Sequence, residues 1–263
     1  MLVDSHCHLE YKGLVEDQAA VLDRARAIGV QTFLNISTKQ SEWAQVVATA
    51  EREPDVFASV GIHPHHADDH QNLTEDELRQ ATKNPRVIGI GETGLDYYYE
   101  HSDRAAQQRL FRLHIAVARD VQLPVIIHTR DAEDDTLAIL EDELGKGAFP
   151  ALIHCFTASA EFGEAVLALG LSISISGIVT FKNAKDLQAV ARDVPADRLL
   201  VETDSPFLAP VPHRGRPCEP GFVRDTAAFL AELRGESLEQ LAVTTTRNFH
   251  SLFTKAPRAE AAA

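Results

Sequence analysis

The sequence LLVETDSP, residues 199–206, decides how this chain folds and where its chemistry lies. Its first three residues are apolar and predict a short strand buried on both faces, which the Ser-Pro pair ends. Glu202 and Asp204 are two residues apart, so on a strand both carboxylates point to the same face. Two anions at the end of an apolar strand repel each other unless a cation or hydrogen-bond donors lie between them. This strand end therefore predicts a cation site.

The same order, an apolar run followed by a side chain that can bind metal and then by a turn, recurs earlier in the chain. It occurs at His6 and His8, at Glu92, at His128 and at His154. Because the carboxyl ends of parallel strands lie on one side of a sheet, we expect these side chains to converge. The recurrence across five predicted strands is stronger evidence for a metal centre than any one of these residues alone.

Predicted strands and helices alternate eight times, with short connections. Strands separated by helices indicate a parallel sheet with right-handed crossovers. Eight such units in about 250 residues predict an α/β fold, a (β/α)8 TIM barrel with a C-terminal helical segment. Strands are predicted at 2–6, 30–36, 56–62, 87–92, 124–128, 151–154, 171–176 and 199–203, and helices at 14–28, 41–53, after a capping box at 74–77, and at 103–121, 133–144, 159–169, 184–193, 222–233 and 237–253.

The length of 263 residues suits one large domain, so residues 1–263 are expected to form a single TIM-barrel domain, with a frayed tail at 258–263. Three cysteines, Cys7, Cys155 and Cys218, together with no amino-terminal signal pattern, predict a protein of the reducing cytoplasm. No apolar run approaches about 18 residues, so no membrane span is expected.

The formal net charge of −14 argues against broad, non-specific binding to duplex DNA, which needs a basic face. It leaves a nucleic-acid substrate open, because carboxylates that bind metal count as negative charges although bound divalent ions offset them locally. An ordinary acidic protein has a similar total charge, so the total alone does not choose between substrate classes.

The candidate metal ligands outnumber those that one catalytic ion needs. An open catalytic ion typically takes three protein ligands and water. A larger set suffices for two ions that share a bridging carboxylate, and two ions about 4 Å apart hold a hydroxide between them and favour in-line displacement at phosphorus. The candidate ligands are His6, His8, Glu92, His128, His154 and Asp204.

The motifs at these strand ends resemble those of the TatD-related metal-dependent deoxyribonucleases, a family of the amidohydrolase-like TIM-barrel group. The resemblance covers nearly the whole chain, and the ordered set of motifs is more specific than any single one. The motifs are DSHCHL (4–9), GIHPH (61–65), GIGETGLDYY (89–98), IIHTRDA (126–132), IHCFTAS (153–159), SISGIVTFK (174–182), VETDSPFLAP (201–210) and TRNFHSLF (246–253).

The resemblance implies a role for each site residue. One metal ion would be held by His6, His8, Glu92 and Asp204, and the other by Glu92, His128 and His154, with Glu92 bridging them. His63 would face the scissile phosphate, and Glu202 would lie behind the ligands. Two divalent ions per chain are implied, with magnesium, manganese and zinc as the candidates. One position departs from the family pattern, because Cys218 stands where the family usually has an asparagine.

Other polar and aromatic residues have two interpretations each. Arg130 follows His128 and would neutralise phosphate charge, or form a salt bridge with Asp131 or Asp134. The tyrosines at 97–99 would stack on bases or pack against the barrel. Five further histidines are predicted to be solvated loop residues (His65, His66, His70) or structural (His114, His250).

The resemblance implies a metal-dependent hydrolase that cleaves DNA phosphodiester bonds, as an exonuclease on single-stranded ends, with a hydroxide activated by two metal ions. DNA is the implied partner, and no obligate protein partner is evident. Expected catalytic residues are Glu92, Asp204, His63, Glu202 and Arg130, where His63 and Arg130 stabilise developing charge and Asp204 or Glu202 handles the proton.

Three other functions stay open at this point. A binuclear small-molecule amidohydrolase or lactonase often has a carboxylated lysine as its bridge, whereas Glu92 ends the fourth predicted strand and no lysine lies at a strand end that carries a ligand. An aminoacyl-tRNA ester hydrolase would use the same hydroxide on a carbonyl. A binding or scaffold protein would keep metals for structure alone.

Overall fold

Eight parallel strands form one sheet in the computed structural model, which describes residues 1–257; the predicted tail at 258–263 lies outside the described residues. The strands pair in chain order from the first to the eighth. They are β1 Leu2–Cys7, β2 Val30–Asn35, β3 Val56–Val60, β4 Val87–Asp96, β5 Val125–Arg130, β6 Ala151–Ile153, β7 Ser172–Ile175 and β8 Leu199–Val201.

Helices alternate with these strands, which confirms the predicted TIM barrel and its C-terminal helical segment. None of the helices within residues 1–257 combines the length and apolarity needed to cross a bilayer. They are α1 Gln18–Ala27, α2 Trp43–Arg52, α3 Glu75–Ala81, α4 Arg104–Val121, α5 Glu133–Lys146, α6 Ala160–Ala168, α7 Lys185–Asp193, α8 Val223–Arg234 and α9 Leu238–Leu252.

The barrel is nearly closed between β1 and the segment that follows β8. Cys7 and Ser205 form a parallel bridge, and the backbone N–H of His8 donates to the Ser205 carbonyl over 2.8 Å. The N–H of Asp204 donates to the carbonyl of His6 over 2.9 Å. These bonds bring the two ends of the predicted metal motif side by side.

The barrel interior is filled by apolar side chains that point inward from successive strands. Phe249 and Phe253, at the end of α9, pack against this inner cluster and are fully buried. The C-terminal helix therefore closes the amino-terminal end of the barrel, and the opposite end is left for the site. The inward strand residues are Val3, Leu34, Phe57, Ile88, Ile126, Leu152 and Leu200.

The observed strand β4 is longer than the predicted 87–92, because pairing with β5 continues to Asp96 and Arg130. Gly91 and Gly94 permit this close approach. A Cβ on Gly91 would lie 2.6 Å from the Ile126 carbonyl oxygen, and one on Gly94 would lie 2.0 Å from the His128 carbonyl oxygen. Both glycines also have positive φ values, 141° and 135°, which side chains disfavour.

Candidate metal centre

A pocket of about 730 Å³ opens at the carboxyl ends of the strands, and Glu92 lies at its base. Glu92 is buried on β4, and its carboxylate is within 3.8 Å of five imidazoles. The structure thus brings together six residues from five strand ends that the sequence places far apart. They are His6, His8, Glu92, His128, His154 and Asp204, and His63 joins them from the end of β3.

The Oε2 atom of Glu92 faces the pair of histidines at the end of β1. It lies 3.4 Å from His6 Nε2 and 3.8 Å from His8 Nε2, and these two nitrogens are 3.3 Å apart. Asp204 Oδ1 lies 3.6 Å from His6 Nε2 and 3.4 Å from His8 Nε2. Two imidazoles and two carboxylates therefore direct one atom each to a common point.

The Oε1 atom of Glu92 faces a different set of nitrogens. It lies 2.7 Å from His154 Nε2, 3.1 Å from His128 Nδ1 and 3.4 Å from His63 Nε2. The short contact with His154 does not have hydrogen-bond geometry, and His154 Nε2 has no hydrogen-bond partner although it is buried. The two oxygens of one carboxylate thus face two separate groups of donors.

These residues fit divalent metal ions. Ligands bound at 2.0–2.1 Å around a tetrahedral ion lie about 3.4 Å from one another, close to the separations around Glu92 Oε2. Three groups of side chains bring their donor atoms close enough together to hold an ion: His6–His8–Glu92, His63–Glu92–His128 and His6–His154–Glu202. A mixture of imidazole and carboxylate suits zinc, manganese or iron more than calcium.

The electrostatics of the pocket keep the carboxylates ionised. Burial raises the pKa of Glu92, but His154, His63 and the bond from His128 outweigh burial, so its pKa is well below the ordinary value. Burial also raises the pKa of Asp204, and the contacts with His8 and His6 lower it further than burial raises it. Ionised carboxylates are the form that binds a divalent ion.

Glu202 lies behind the pocket rather than in it. Its side chain is fully buried, and Oε1 is 3.3 Å from Nδ1 of His154, whereas Oε2 has no hydrogen-bond partner. His6 stacks on His154 with ring centroids 3.9 Å apart, so Glu202 lies close to both imidazoles. A carboxylate in this position fixes the orientation of imidazole ligands.

His63 presents one particular nitrogen to the pocket. Its Nδ1 accepts a hydrogen bond of 3.1 Å from the backbone N–H of His65. Burial lowers the pKa of His63 to about 4, so the ring is neutral at pH 7. With Nδ1 as the acceptor, the proton lies on Nε2, which points toward Glu92.

Asp96 is a buried carboxylate that the sequence analysis did not identify. Its Oδ2 lies 3.0 Å from His128 Nε2 and 2.9 Å from His65 Nε2, and its Oδ1 accepts from the N–H groups of Tyr98 and Tyr99. Asp96 is four residues after Glu92 on one strand, so the period of two offers a signal for it. The prediction ended this strand at Glu92 and therefore excluded Asp96.

His65 is not the solvated loop residue that the sequence predicts. The chain after β3 turns back through a 3-10 turn, Pro64–His66, which places the His65 ring against Asp96 on the pocket wall.

His114 has the structural contacts that the sequence predicts. Its Nδ1 donates to the Leu110 carbonyl over 2.7 Å, and its Nε2 accepts from the N–H of Ile62 over 3.0 Å.

Arg130 forms no ion pair within residues 1–257, so neither Asp131 nor Asp134 neutralises it. Its guanidinium lies 3.9 Å from the ring centroid of Tyr98 and 4.8 Å from that of Tyr99, at the wall of the pocket. An arginine without a carboxylate partner in a chain of net charge −14 is available to an anionic ligand.

The three tyrosines at 97–99 differ in burial, and one of them has the predicted packing role. The Tyr97 hydroxyl donates to Asp135 over 2.7 Å and its ring packs against the core, whereas Tyr98 and Tyr99 are about half exposed.

Cys218 is fully buried, and its backbone N–H donates to the Pro206 carbonyl over 2.9 Å. This bond connects the loop that contains Cys218, the residue that departs from the family pattern, to the turn after Asp204.

Comparisons with known proteins agree with this geometry. The family model described as TatD related DNase matches residues 3–254. The chain is 45% identical over 255 residues to an uncharacterized metal-dependent hydrolase, YcfH, of Escherichia coli K12, covering 96% of this chain and 95% of that one. It is 35% identical over 258 residues to the 3'-5' ssDNA/RNA exonuclease TatD of Erwinia tasmaniensis, covering 96% and 99%.

Solved structures give the same result for the fold. The crystal structure of YjjV, a TatD homolog from Escherichia coli K12, superposes with a TM-score of 0.90 at 29% identity and covers 97% of this chain and 98% of that one. A TatD-family hydrolase from Entamoeba histolytica superposes with a TM-score of 0.84 at 21% identity, which bears on the fold alone.

Proposed function

This chain belongs to the TatD-related DNase family of metal-dependent hydrolases, and from that membership we propose that it is a deoxyribonuclease that removes nucleotides from single-stranded DNA ends. The observation that carries the proposal is the division of Glu92, whose Oε2 faces His6 and His8 while Oε1 faces His128 and His154. A carboxylate with a separate donor group on each oxygen has the form of a bridge between two ions.

In this proposal His6, His8, Asp204 and Glu92 would hold one ion, and His128, His154 and Glu92 would hold the other. Two divalent ions bound there would lower the pKa of a water molecule and offset the charge of the phosphoryl group. Magnesium, manganese and zinc are the ions to test first, because the imidazoles favour zinc and the carboxylates favour manganese and magnesium.

Residues of the chain supply the remaining contacts to the substrate. His63 donates its Nε2–H to a phosphoryl oxygen, which its tautomer and lowered pKa permit. Arg130 offers two parallel N–H donors to a phosphate, for which no side chain of residues 1–257 competes as an ion-pair partner. Both groups stabilise charge that grows on phosphoryl oxygens as the bond to the leaving oxygen breaks.

The two carboxylates after β8 have different tasks. The Asp204 side chain is 15% exposed and faces the pocket, whereas that of Glu202 is fully buried behind His154. These positions support the assignment of proton acceptance from the attacking water to Asp204, and of the orientation of the His154 ring to Glu202.

The pocket and one relative support the proposed substrate class. A pocket of about 730 Å³ with a free arginine, several imidazoles and half-exposed aromatic rings suits a nucleotide. The Erwinia relative is named for 3'-5' digestion of single-stranded DNA and RNA, so the 3' end of a single strand is the first substrate to test. Among the pocket-lining residues within 1–257 there is no lysine, which disfavours a bridge of carboxylated lysine.

The test is release of nucleotides from end-labelled single-stranded DNA and RNA. Chelator-treated protein receives magnesium, manganese or zinc, and metal content per chain is measured in parallel with Glu92→Ala as the control. We expect stepwise, metal-dependent release by the wild type and none by Glu92→Ala. An active Glu92→Ala protein would contradict the bridging role, and a wild type that binds two ions but releases nothing would favour the ester or small-molecule hydrolase.

A further inference from the structure

Phe207 is a large apolar side chain that the structure exposes beside the candidate metal centre. It lies three residues after Asp204, is 49% exposed and lines the pocket. Its ring centroid is 6.3 Å from that of His8. Single exposed apolar side chains are common on protein surfaces, but this one lies on the wall of the pocket that holds the candidate ligands, where a ligand with a flat apolar face can cover it.

The turn that presents Phe207 is held by the surrounding structure. The N–H of Phe207 donates to the Asp204 carbonyl over 2.9 Å. Asp204 and Leu208 have positive φ values of 58° and 56°, a conformation uncommon outside glycine. A Cβ on Gly177 would lie 2.4 Å from the Leu208 carbonyl oxygen, so the backbone on the far side is packed closely against this turn.

Tyr11 supports the Phe207 ring from the side of β1. The two rings meet edge to face with centroids 6.0 Å apart, and Tyr11 stacks on His8 at 4.7 Å. The Tyr11 hydroxyl is hydrogen-bonded to Thr38 Oγ1 at 2.7 Å, which fixes the ring. Phe207 therefore rests on a rigid aromatic neighbour that itself contacts a proposed metal ligand.

The pocket has a second aromatic wall on the other side of the barrel. Tyr98, Tyr99 and Arg130 follow β4 and β5, whereas Tyr11 and Phe207 follow β1 and β8. In an eight-stranded barrel with strands in chain order, β4 and β5 lie opposite β8 and β1. The metal centre lies between the two walls, with an arginine on one of them and none on the Phe207 side among the pocket-lining residues within 1–257.

We propose that Phe207, supported by Tyr11, stacks on the nucleobase at one side of the scissile phosphodiester, a role that rests on the proposed function. Phe207 lines the same pocket as the candidate ligands, with its ring centroid 6.3 Å from that of His8, so it lies beside the point where the proposed function puts the scissile phosphate. Stacking needs only the flat face of a base and so tolerates any sequence, as an enzyme that digests DNA end-wise requires. Arg130 and the two tyrosines hold the neighbouring nucleotide on the opposite wall.

The test compares natural single-stranded DNA with strands that lack one base. End-labelled oligonucleotides carry an abasic residue at the terminal or the second position, and kcat and KM are measured for the first nucleotide released. Wild type, Phe207→Ala, Phe207→Trp and a control, Val243→Ala, are compared at equal metal content. Val243 is exposed on α9 at the closed end of the barrel, so its substitution removes apolar surface away from the pocket.

We expect the wild type to lose about 10-fold or more in kcat/KM when the stacked base is missing, because base stacking on an aromatic ring is worth roughly that factor. Phe207→Ala should show the same loss on natural DNA and no further loss on the abasic strand, while Phe207→Trp restores the preference. A Phe207→Ala protein that discriminates as the wild type does would overturn the stacking role alone. A wild type that releases no nucleotide from any strand would overturn the proposed function together with it.

Discussion

Asp4 accepts two hydrogen bonds from Thr203, one of 2.8 Å from its backbone N–H and one of 2.6 Å from its hydroxyl. The pair joins the first strand to the residue before Asp204 and is fully buried. The same hydroxyl accepts from the N–H of Ser205 over 3.1 Å. The Thr203 side chain therefore fixes the position of the backbone on both sides of Asp204 relative to β1.

Thr203→Val removes this hydroxyl with little change in shape. We expect a loss of about 1–3 kcal/mol in the free energy of unfolding, because Asp4 keeps a buried oxygen without its donor. Metal affinity should fall as well, since Asp204 loses its fixed position. Urea unfolding and metal titration measure the two effects. Thr203→Ser keeps the hydroxyl and should behave like the wild type; equal damage in both variants would contradict the role of the hydrogen bond.

Asp96→Asn tests the carboxylate that holds His128 and His65. The amide can no longer accept from both rings with a full charge, so we expect metal affinity to fall about 10- to 100-fold, as for other outer partners of ligating imidazoles. Competition with a chelator measures that affinity without reference to activity. Asp225→Asn is the matched control. Asp225 Oδ2 lies 3.1 Å from His213 Nε2, and neither residue lines the pocket. Equal affinity in wild type and Asp96→Asn would refute the positioning role.

Removing metal should destabilise the wild type. An ion bound at 100 times its dissociation constant stabilises the folded state by about 2.7 kcal/mol, so chelation should lower Tm and added metal should restore it. The Tm of Glu92→Ala should change neither on chelation nor on addition of metal, because neither group of donors is complete without that carboxylate. Differential scanning calorimetry with and without chelator measures the effect. A wild-type Tm that ignores both treatments would show that these residues hold no ion.

Arg130→Ala should reduce kcat/KM on single-stranded DNA by about 10- to 100-fold, the range for a hydrogen bond to a charged group. Arg130→Lys should retain only part of the wild-type kcat/KM, since an ammonium group lacks the paired donors of a guanidinium group. Stability should change little, because the guanidinium contacts only exposed rings. Arg104→Ala is the control, as Arg104 lies over Tyr97 in a similar contact outside the pocket-lining set. Equal loss in both alanine variants would argue against a phosphate contact.

His114 predicts a specific dependence of stability on pH. Burial lowers its pKa from the ordinary 6.5 to about 4. Between these values the unfolded chain binds a proton that the folded chain does not, so the stability that the neutral ring contributes is present above pH 6.5 and is lost as the pH falls toward 4, by roughly 3 kcal/mol in all. The bond from the Ile62 N–H to Nε2 requires the same neutral ring.

The measurement compares urea unfolding of wild type and His114→Gln from pH 8 to pH 4. The variant should be less stable at pH 8 but lose less stability on acidification, because glutamine does not titrate. His101→Gln, which replaces an exposed histidine, should keep the wild-type slope. Parallel slopes for wild type and His114→Gln would mean that His114 does not supply this dependence.

The fold could be predicted almost entirely from the sequence, because short apolar runs alternate with amphipathic helices and six of the eight predicted strands end at a polar residue. Eight strands and their helices lie where these patterns indicate, with ends shifted by a few residues. Among the strands, the largest difference is at β4, which continues to Asp96 because Gly91 and Gly94 allow its neighbours to approach. The backbones of β4 and β5 are distant in the chain, so the local pattern of apolar residues does not indicate that they pair this far.

The meeting of the six side chains could also be predicted, because parallel strands bring their carboxyl ends to one face whatever the details of packing. The detailed contacts could not: they include which oxygen of Glu92 faces which imidazole, the bonds of Asp96 with His128 and His65, and the position of Phe207 opposite Arg130. These relationships depend on rotamers and on the path of the loops. Both are set by contacts between segments up to two hundred residues apart, which local sequence patterns do not record.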